Sequence, residues 1–391
     1  MRNSIITTWI FLLLLYPFQS FAEDGVSDQK IVFGQSAALT GPVSALGLGM
    51  RDGILAAFKE VNDSGGIARR QLTLVSYDDA YEPDHAIANA QKLINDDRVF
   101  ALIGGVGTPT SNAVLPLISN AQVPFIGPFT GASFLRFPFN RYTVNVRASY
   151  AQETEEWVER LTKDLGIRRI AVFYQDDSYG LSGLAGVMHA LDKRGMHLVG
   201  EGSYKRNTVA IKEAAINISD SDPEAVIMIG AYKPCAAFIK LAKQLGIRAY
   251  FLNISFVGSE ALAKELGSDA NGVLVSQVLP SPYNPATPIA AAYQYAMQNY
   301  NGMTTYSFVS FEGYVTGRLT IEVLRHIPGD ITREGFLNTL YNLQDIEING
   351  LHLRYGESDN QGLDKIFLTA LDKNGHFSEI SHLSREDGKH E

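Results

Sequence analysis

Several groups of residues in this chain have types that could do chemistry. Asp78-Asp79 and Asp176-Asp177 each follow a short apolar run and could act as paired catalytic carboxylates. Aspartates just after a strand also satisfy loop and helix-start N–H groups, and that is the role expected of both pairs. Cys235 is the single cysteine, no histidine stands near it in sequence, and it reads as a packing residue. The eight histidines are scattered without an HExxH or similar ligand pair, so a metal site has no support. Gly47-Leu48-Gly49 followed by Gly53 distantly echoes a dinucleotide fingerprint, but it lies well past the tight turn of the first strand. Neither a GxSxG elbow nor a P-loop is present, so no catalytic set, metal or cofactor is expected. The loop Gly105 to Thr110 offers a different chemistry. It leads into a helix start, whose free N–H groups can receive an anion such as a carboxylate.

The surroundings of that loop say how it is positioned. Ala101 to Ile103 and Val123 to Ile126 are short apolar runs bounded by glycines, as expected of buried parallel strands. Between them Ser111 or Asn112 can cap a helix with Val114, Leu115 and Ile118 on its apolar face. Both strands of this βαβ unit end in Gly-, Thr- and Pro-rich loops. Those loops therefore lie at the carboxyl edge of the sheet, where open α/β folds bind small molecules.

The same alternation recurs along the chain. Strands are expected at Ile31 to Gln35, Leu72 to Tyr77, Ile170 to Tyr174, Ala225 to Ile229 and Tyr250 to Ile254. Helices fall between them, at about 47–62, after Pro83, at about 152–165, after Tyr179, and around Cys235. Further helices are expected at about 286–300, 305–326 and 332–343, with short strands near 350–354 and 365–371. Two βαβ series imply two similar α/β lobes with facing edges. Segments Asn145–Ser149 and Val278–Asn284 read as crossings between them, and Ser384 to Glu391 as a fraying tail.

Arg2, an apolar run from Ile5 to Tyr16 and Ser20-Phe21-Ala22 form a secretory signal pattern, with cleavage expected after Ala22. The run is shorter than the roughly 20 apolar residues needed to span a bilayer, and no lipobox cysteine follows it. A periplasmic, unanchored product is expected. One cysteine excludes an internal disulfide framework. With 33 Lys+Arg against 42 Asp+Glu and no basic run interleaved with aromatics, nucleic acid is not an expected partner.

Leu39-Thr40-Gly41-Pro42, Asn62-Asp63-Ser64-Gly65-Gly66-Ile67, Tyr77-Asp78-Asp79, Ile103-Gly104 and Asp177-Ser178-Tyr179-Gly180 occur in this order. Together they resemble the leucine/isoleucine/valine-type, or type I, periplasmic solute-binding proteins of ABC importers, over nearly all of the chain after the signal. The resemblance implies two Rossmann-like lobes joined by three crossover segments and closing on a ligand as a trap. It implies an N-terminal lobe of 27–148 with 280–355 and a C-terminal lobe of 149–279 with 356–391. It also implies an inner-membrane permease as partner, a monomer and no enzymatic activity. A sensor of the same fold reporting to a membrane receptor is the alternative, and an exported hydrolase a remote third.

Carried onto this chain, the family's pocket places the carboxylate-binding hydroxyl on Thr108 and the next contact loop on Phe129-Thr130-Gly131. Either Thr130 or Gly131 takes the family's threonine position. The two tyrosines of the second lobe fall on Tyr179 and Tyr232, and the aromatic that covers the ligand in leucine binders falls on Leu46. The acid that pairs with the ligand ammonium falls on Ser255, and the two cysteines of a small disulfide fall on Tyr81 and Gly107. A hydroxyl cannot neutralise a buried ammonium. The ligand therefore lacks that group, or another acid, Asp176 or Glu260, stands in. On the first of these, leucine, isoleucine and valine bind weakly and an aromatic or other non-amino organic acid binds better.

Overall fold

The computed structural model describes residues 23–302 and 304–385. The signal segment and its cleavage after Ala22 lie outside the described residues, as does most of the expected fraying tail. The first βαβ series comprises β1 (Lys30–Ala37), α1 (Ser44–Asp63), β2 (Gln71–Asp78), α2 (Pro83–Asn95), β3 (Ala101–Ile103), α3 (Thr108–Ala121), β4 (Phe125–Ile126) and β5 (Thr143–Val144). The second series opens with α4 (Tyr150–Leu165), β6 (Ile170–Gln175), α5 (Ser178–Asp192), β7 (Gly200–Tyr204) and α6 (Lys212–Asp220). It continues through β8 (Ala225–Ile229), α7 (Tyr232–Gln244), β9 (Tyr250–Asn253), α8 (Ser259–Leu266) and β10 (Leu274–Gln277). After it come α9 (Pro288–Asn301), α10 (Phe308–Arg325) and α11 (Arg333–Leu343). The described chain ends with β11 (Asp345–Ile348), β12 (Leu351–Arg354), β13 (Phe367–Leu371) and β14 (Phe377–Ile380).

Two large sheets result, beside a two-stranded antiparallel one of β11 and β12. One has the order β2-β1-β3-β4-β5 and is parallel throughout. The other has the order β14-β13-β10-β9-β8-β6-β7, with β13 and β14 added antiparallel at one side. In each, the parallel strand order reverses once, at β1/β3 and at β6/β8, and such switch points are where doubly wound folds bind ligands. Helices α9, α10 and α11 return to the first sheet, where Tyr293, Phe311 and Phe336 share a core with Ile31, Phe33 and Phe100. Helix α10 lies against α1 at the closest range backbones allow. A Cβ on Gly53 would sit 1.9 Å from the Ser310 carbonyl oxygen, and one on Gly313 2.4 Å from that of Met50.

Local signals explain most element ends. A capping box starts α4, where Ser149 Oγ accepts from Gln152 N and the Gln152 side chain accepts from Ser149 N. Gly166, left-handed at φ 68°, ends it. Asp177 caps α5 by accepting from Tyr179 N at 2.9 Å. Helix α3 departs from expectation. It begins at Thr108 instead of after Ser111 or Asn112, with Gly107 (φ 108°) at its cap position and no side-chain cap. Pro109 in its first turn needs no N–H acceptor, which makes the earlier start inexpensive. Strands β5, β10, β11 and β14 and helix α8 fall outside the expected elements, as do helix α6 and strand β7. Strand β7 reads Gly-Glu-Gly-Ser-Tyr and lies at a sheet edge, so it carries only a weak apolar signature.

Three chain crossings run between the sheets, and Asn145 ties two of them together. Its N–H donates to Asn360 O at 2.8 Å, and its carbonyl accepts from Gly362 N at 2.9 Å and from Tyr355 Oη at 3.0 Å.

Candidate functional site

Loops after β3, β4, β6, β8 and β9 meet between the two sheets. Because α3 starts at Thr108, that residue lies in the first helical turn, where N–H groups have no intrahelical acceptor. Thr108 Oγ1 is 2.6 Å from Thr130 Oγ1 and 3.4 Å from Tyr150 Oη, and all three residues are fully buried. Of the two positions left open, Thr130 and Gly131, it is Thr130 whose hydroxyl meets Thr108. A Cβ at Gly131 would come within 2.5 Å of the Tyr150 ring, and Gly131 O accepts from Tyr150 N at 2.8 Å.

Phe129 and Tyr179 join an aromatic cluster around Phe256. Ring centroids lie 5.5 Å apart for Phe129–Phe256, 4.5 Å for Tyr179–Phe256 and 5.4 Å for Tyr150–Tyr179. Tyr179 Oη donates to Gly230 O at 3.3 Å, and burial pushes its ionisation well above the ordinary phenol range. Leu46 and Tyr232 meet elsewhere, at Gly258. A Cβ there would be 2.6 Å from Leu46 Cδ2 and 3.5 Å from Tyr232 Cδ1. Tyr232 belongs to the core on the other side of the second sheet, with Cys235 and Phe238.

Tyr81 and Gly107 are neighbours, as their assigned disulfide positions imply. The Tyr81 ring fills the space beside Gly107, where a Cβ would lie 2.2 Å from it. Tyr81 Oη then accepts from Gln175 Nε2, on the last residue of β6 in the other sheet, at 3.3 Å.

Ser255 stands in a buried charge cluster that sequence reading did not find. Arg147 Nη2 donates to Ser255 Oγ. Ser255 donates in turn to Glu153, from Oγ at 2.9 Å and from N at 2.7 Å, and Ser276 Oγ donates to the same carboxylate at 2.6 Å. Arg147 also lies 3.9 Å from Glu153 and 3.6 Å from Glu312, and its guanidinium stacks over Phe129 at 4.5 Å. Neither acid suggested as a substitute at Ser255 has that place. Asp176 is exposed, and Glu260 accepts from Tyr283 Oη at 2.6 Å and Phe308 N at 2.9 Å. Glu153 was missed because nothing in its run Gln-Glu-Thr-Glu-Glu separates it from the surface acids beside it. Its one local signal is its place in the first turn of α4, one residue past the capping Gln152.

Electrostatics follow from this burial. Desolvation raises Glu312 to about 7, against the pull of Arg147 and with the push of Glu153. Desolvation also raises Glu153, opposed by Arg147 and by its serine donors. For Arg147, burial disfavours the charge, but Glu312 and Glu153 more than offset it and hold the guanidinium above its ordinary range.

Three of the four paired aspartates, Asp177 at the start of α5 among them, take the structural role expected of them, while Asp176 is exposed. Asp78 accepts from Leu39 N and Ala80 N, and Asp79 from Ser36 Oγ and Tyr81 N. Cys235 is buried, and its thiol is pushed upward by desolvation. Among the described residues, no three His, Cys, Asp or Glu side chains gather as a metal site, and no helix is long and apolar enough to cross a membrane.

A model of the periplasmic binding protein family matches residues 30–376. The chain belongs to this family. Its fold is the two-lobed type I arrangement of the Leu/Ile/Val group. A solved structure described as a possible leucine/isoleucine/valine-binding protein from Rhodopirellula baltica SH 1 is 36% identical, with a TM-score of 0.87, covering 90% of this chain and 97% of that one. The Leu/Ile/Val-binding protein homolog 7 of Brucella abortus (strain 2308) is 24% identical, over 82% of each chain. The leucine-, isoleucine-, valine-, threonine-, and alanine-binding protein of Pseudomonas aeruginosa is also 24% identical, over 66% of this chain and 68% of its own. In this periplasmic binding protein, as the geometry above shows, the loops of the two lobes touch across the cleft. Arg206 Nη2 donates to Glu82 at 2.9 Å and Asn207 Nδ2 to Glu82 at 2.7 Å, while Arg206 Nη1 donates to Asp177 of its own lobe at 3.1 Å.

Proposed function

We propose that this protein is the substrate-binding component of an ABC importer of the branched-chain-amino-acid type. It takes a small carboxylate-bearing ligand, an amino acid or another organic acid, between its lobes and delivers it to an inner-membrane permease. The observation that carries this reading is the buried hydroxyl pair Thr108–Thr130 at the start of α3, beside a sheet's switch point and facing the second lobe. The specificities in the names of the three relatives described above, all amino acids, agree with it. Phe129, Thr130 and Gly131 supply the neighbouring loop, Tyr179 the facing aromatic wall, Leu46 and Tyr232 the rim at Gly258, and Ser255 the far end. The site binds without turning its ligand over.

The lobes proposed to close as units are 27–148 with 280–355 and 149–279 with 356–391, with Asn145–Ser149 and Val278–Asn284 as hinges. Denaturing the purified protein and identifying the released molecule by mass spectrometry names the ligand. Scattering profiles with and without it should differ, the bound form being more compact. An unchanged radius of gyration with the ligand bound would sink closure.

The Arg206–Glu82 contact gives a graded check. Both side chains are partly exposed, at 23% and 40%, so the pair is worth about 0.2–1 kcal/mol. Glu82→Gln should weaken ligand binding by no more than about fivefold, mostly through faster release. A hundredfold loss would mean that this contact, not the pocket, dominates closure.

A further inference from the structure

Within 4 Å, the buried cluster at Ser255 sets one guanidinium against two carboxylates, and Arg136 acts on it only from farther away. Arg147 is its guanidinium, and Glu153 and Glu312 both lie within 4 Å of it. Glu153 is fully engaged by Ser255 and Ser276. Glu312 is not. Its contact with Arg147 Nε is 3.6 Å, and that nitrogen makes no hydrogen bond, so the interaction is one of charge alone. Beside it lies a cavity of about 10 Å³, lined by Glu312, Ser255, Phe129, Gln277, Val309 and Phe308. Among the polar groups of that lining, Gln277 is held by Ser259 and Thr369, and Ser255 by Arg147 and Glu153. The space is close to that of one water molecule, and an ammonium head is of similar size.

We propose that Glu312, on α10, is the residue that neutralises a ligand ammonium in this protein, in place of an acid at position 255. This rests on the reading of the cleft as a carboxylate-ligand site and narrows the ligand to a zwitterion, an α-amino acid. Its carboxylate lies at Thr108 and Thr130, and its ammonium lies beside Ser255 against Glu312. The guanidinium and the ammonium then balance the two carboxylates. With no ammonium present, the spare negative charge is relieved by a proton, consistent with a Glu312 carboxyl held near 7. The charged groups acting on it are Arg147, Glu153 and, more weakly, Arg136, while Glu260 meets the first residue of α10 at Phe308 N.

Calorimetry at pH 7 with leucine, isoleucine, valine, threonine and alanine, each beside its 2-oxo analogue, tests this. The tightest amino acid should bind the unmodified protein with release of protons, seen as heats that change with the ionisation enthalpy of the buffer. Glu312→Gln should abolish that release and weaken the amino acid roughly 10- to 150-fold, the range for losing a hydrogen bond to a charge. It should leave the 2-oxo analogue within a few-fold. The proton measurement on the unmodified protein stands even if the variant folds poorly. An amino acid that binds without proton release, or binds equally to Glu312→Gln, overturns the role of Glu312 and leaves the solute-binding reading intact. Preferred binding of the 2-oxo acids does the same. Binding of neither series counts against both.

Discussion

Arg147→Met should lower the unfolding free energy by about 3–5 kcal/mol at pH 7, the usual consequence of removing one partner from a buried ion pair. Arg147 is wholly enclosed, as are Glu153 and nearly all of Glu312, so no water replaces the lost guanidinium. The loss should shrink on acidification. Glu312, raised to about 7 in the folded state from 4.5, binds a proton more readily folded than unfolded. Its ionisation therefore works against folding, with the cost absent below about 4.5, growing as pH rises, and complete above about 7. Without Arg147 that penalty deepens, so the variant should be closest to the unmodified protein near pH 5. A triple replacement, Arg147→Met with Glu153→Leu and Glu312→Leu, should recover much of the stability, since buried ion clusters often exchange for apolar groups at little net change. Urea unfolding at pH 5 and 8 measures all three effects. A single-variant loss below about 1 kcal/mol at pH 8 would show that water reaches the cluster.

That cluster also marks the limit of what the sequence reveals. The alternation of apolar runs with glycine-ended helices was enough to read β1 to β4 and then β6, β8 and β9, because buried parallel strands such as Ala225–Ile229 carry an unbroken apolar signature. It did not reveal β7, an edge strand, or the earlier start of α3, where a glycine serves in place of a side-chain cap. The pocket positions themselves came only from the family resemblance, and some of the positions it marks meet in the fold. The pairing of Thr108 with Thr130 and the nearness of Tyr81 to Gly107 both join positions marked in that way.

Ser255, taken alone, argued against an ammonium. The acids that face it come from α4 and α10, and no spacing rule links a residue after β9 to Glu153, 102 positions earlier. A charge that migrates from one element to another across a folded site leaves no trace in either local pattern. Tyr150 illustrates the same point. It follows a capping serine and looks like a helix-start residue, yet its hydroxyl reaches Thr108 and its ring packs on Gly131.

Thr108→Val should weaken the ligand roughly 10- to 150-fold, because it keeps the side-chain volume but takes a hydrogen bond from a charged group, at about 1.5–3 kcal/mol. Thr108 Oγ1 has two hydroxyl neighbours, Thr130 at 2.6 Å and Tyr150 at 3.4 Å, so the valine also strips a partner from Thr130. Thr108→Ser separates the two consequences. It restores the hydroxyl, so binding should return to within a few-fold even though a buried methyl is lost. The methyl ester of the ligand released from the purified protein should bind poorly to the unmodified chain, and no worse to Thr108→Val, since the charge that Thr108 serves is already gone. Titration calorimetry of both variants with the acid and its ester gives the four affinities. Undiminished binding of the ester to the unmodified protein would show that the hydroxyl pair at the start of α3 does not hold a carboxylate.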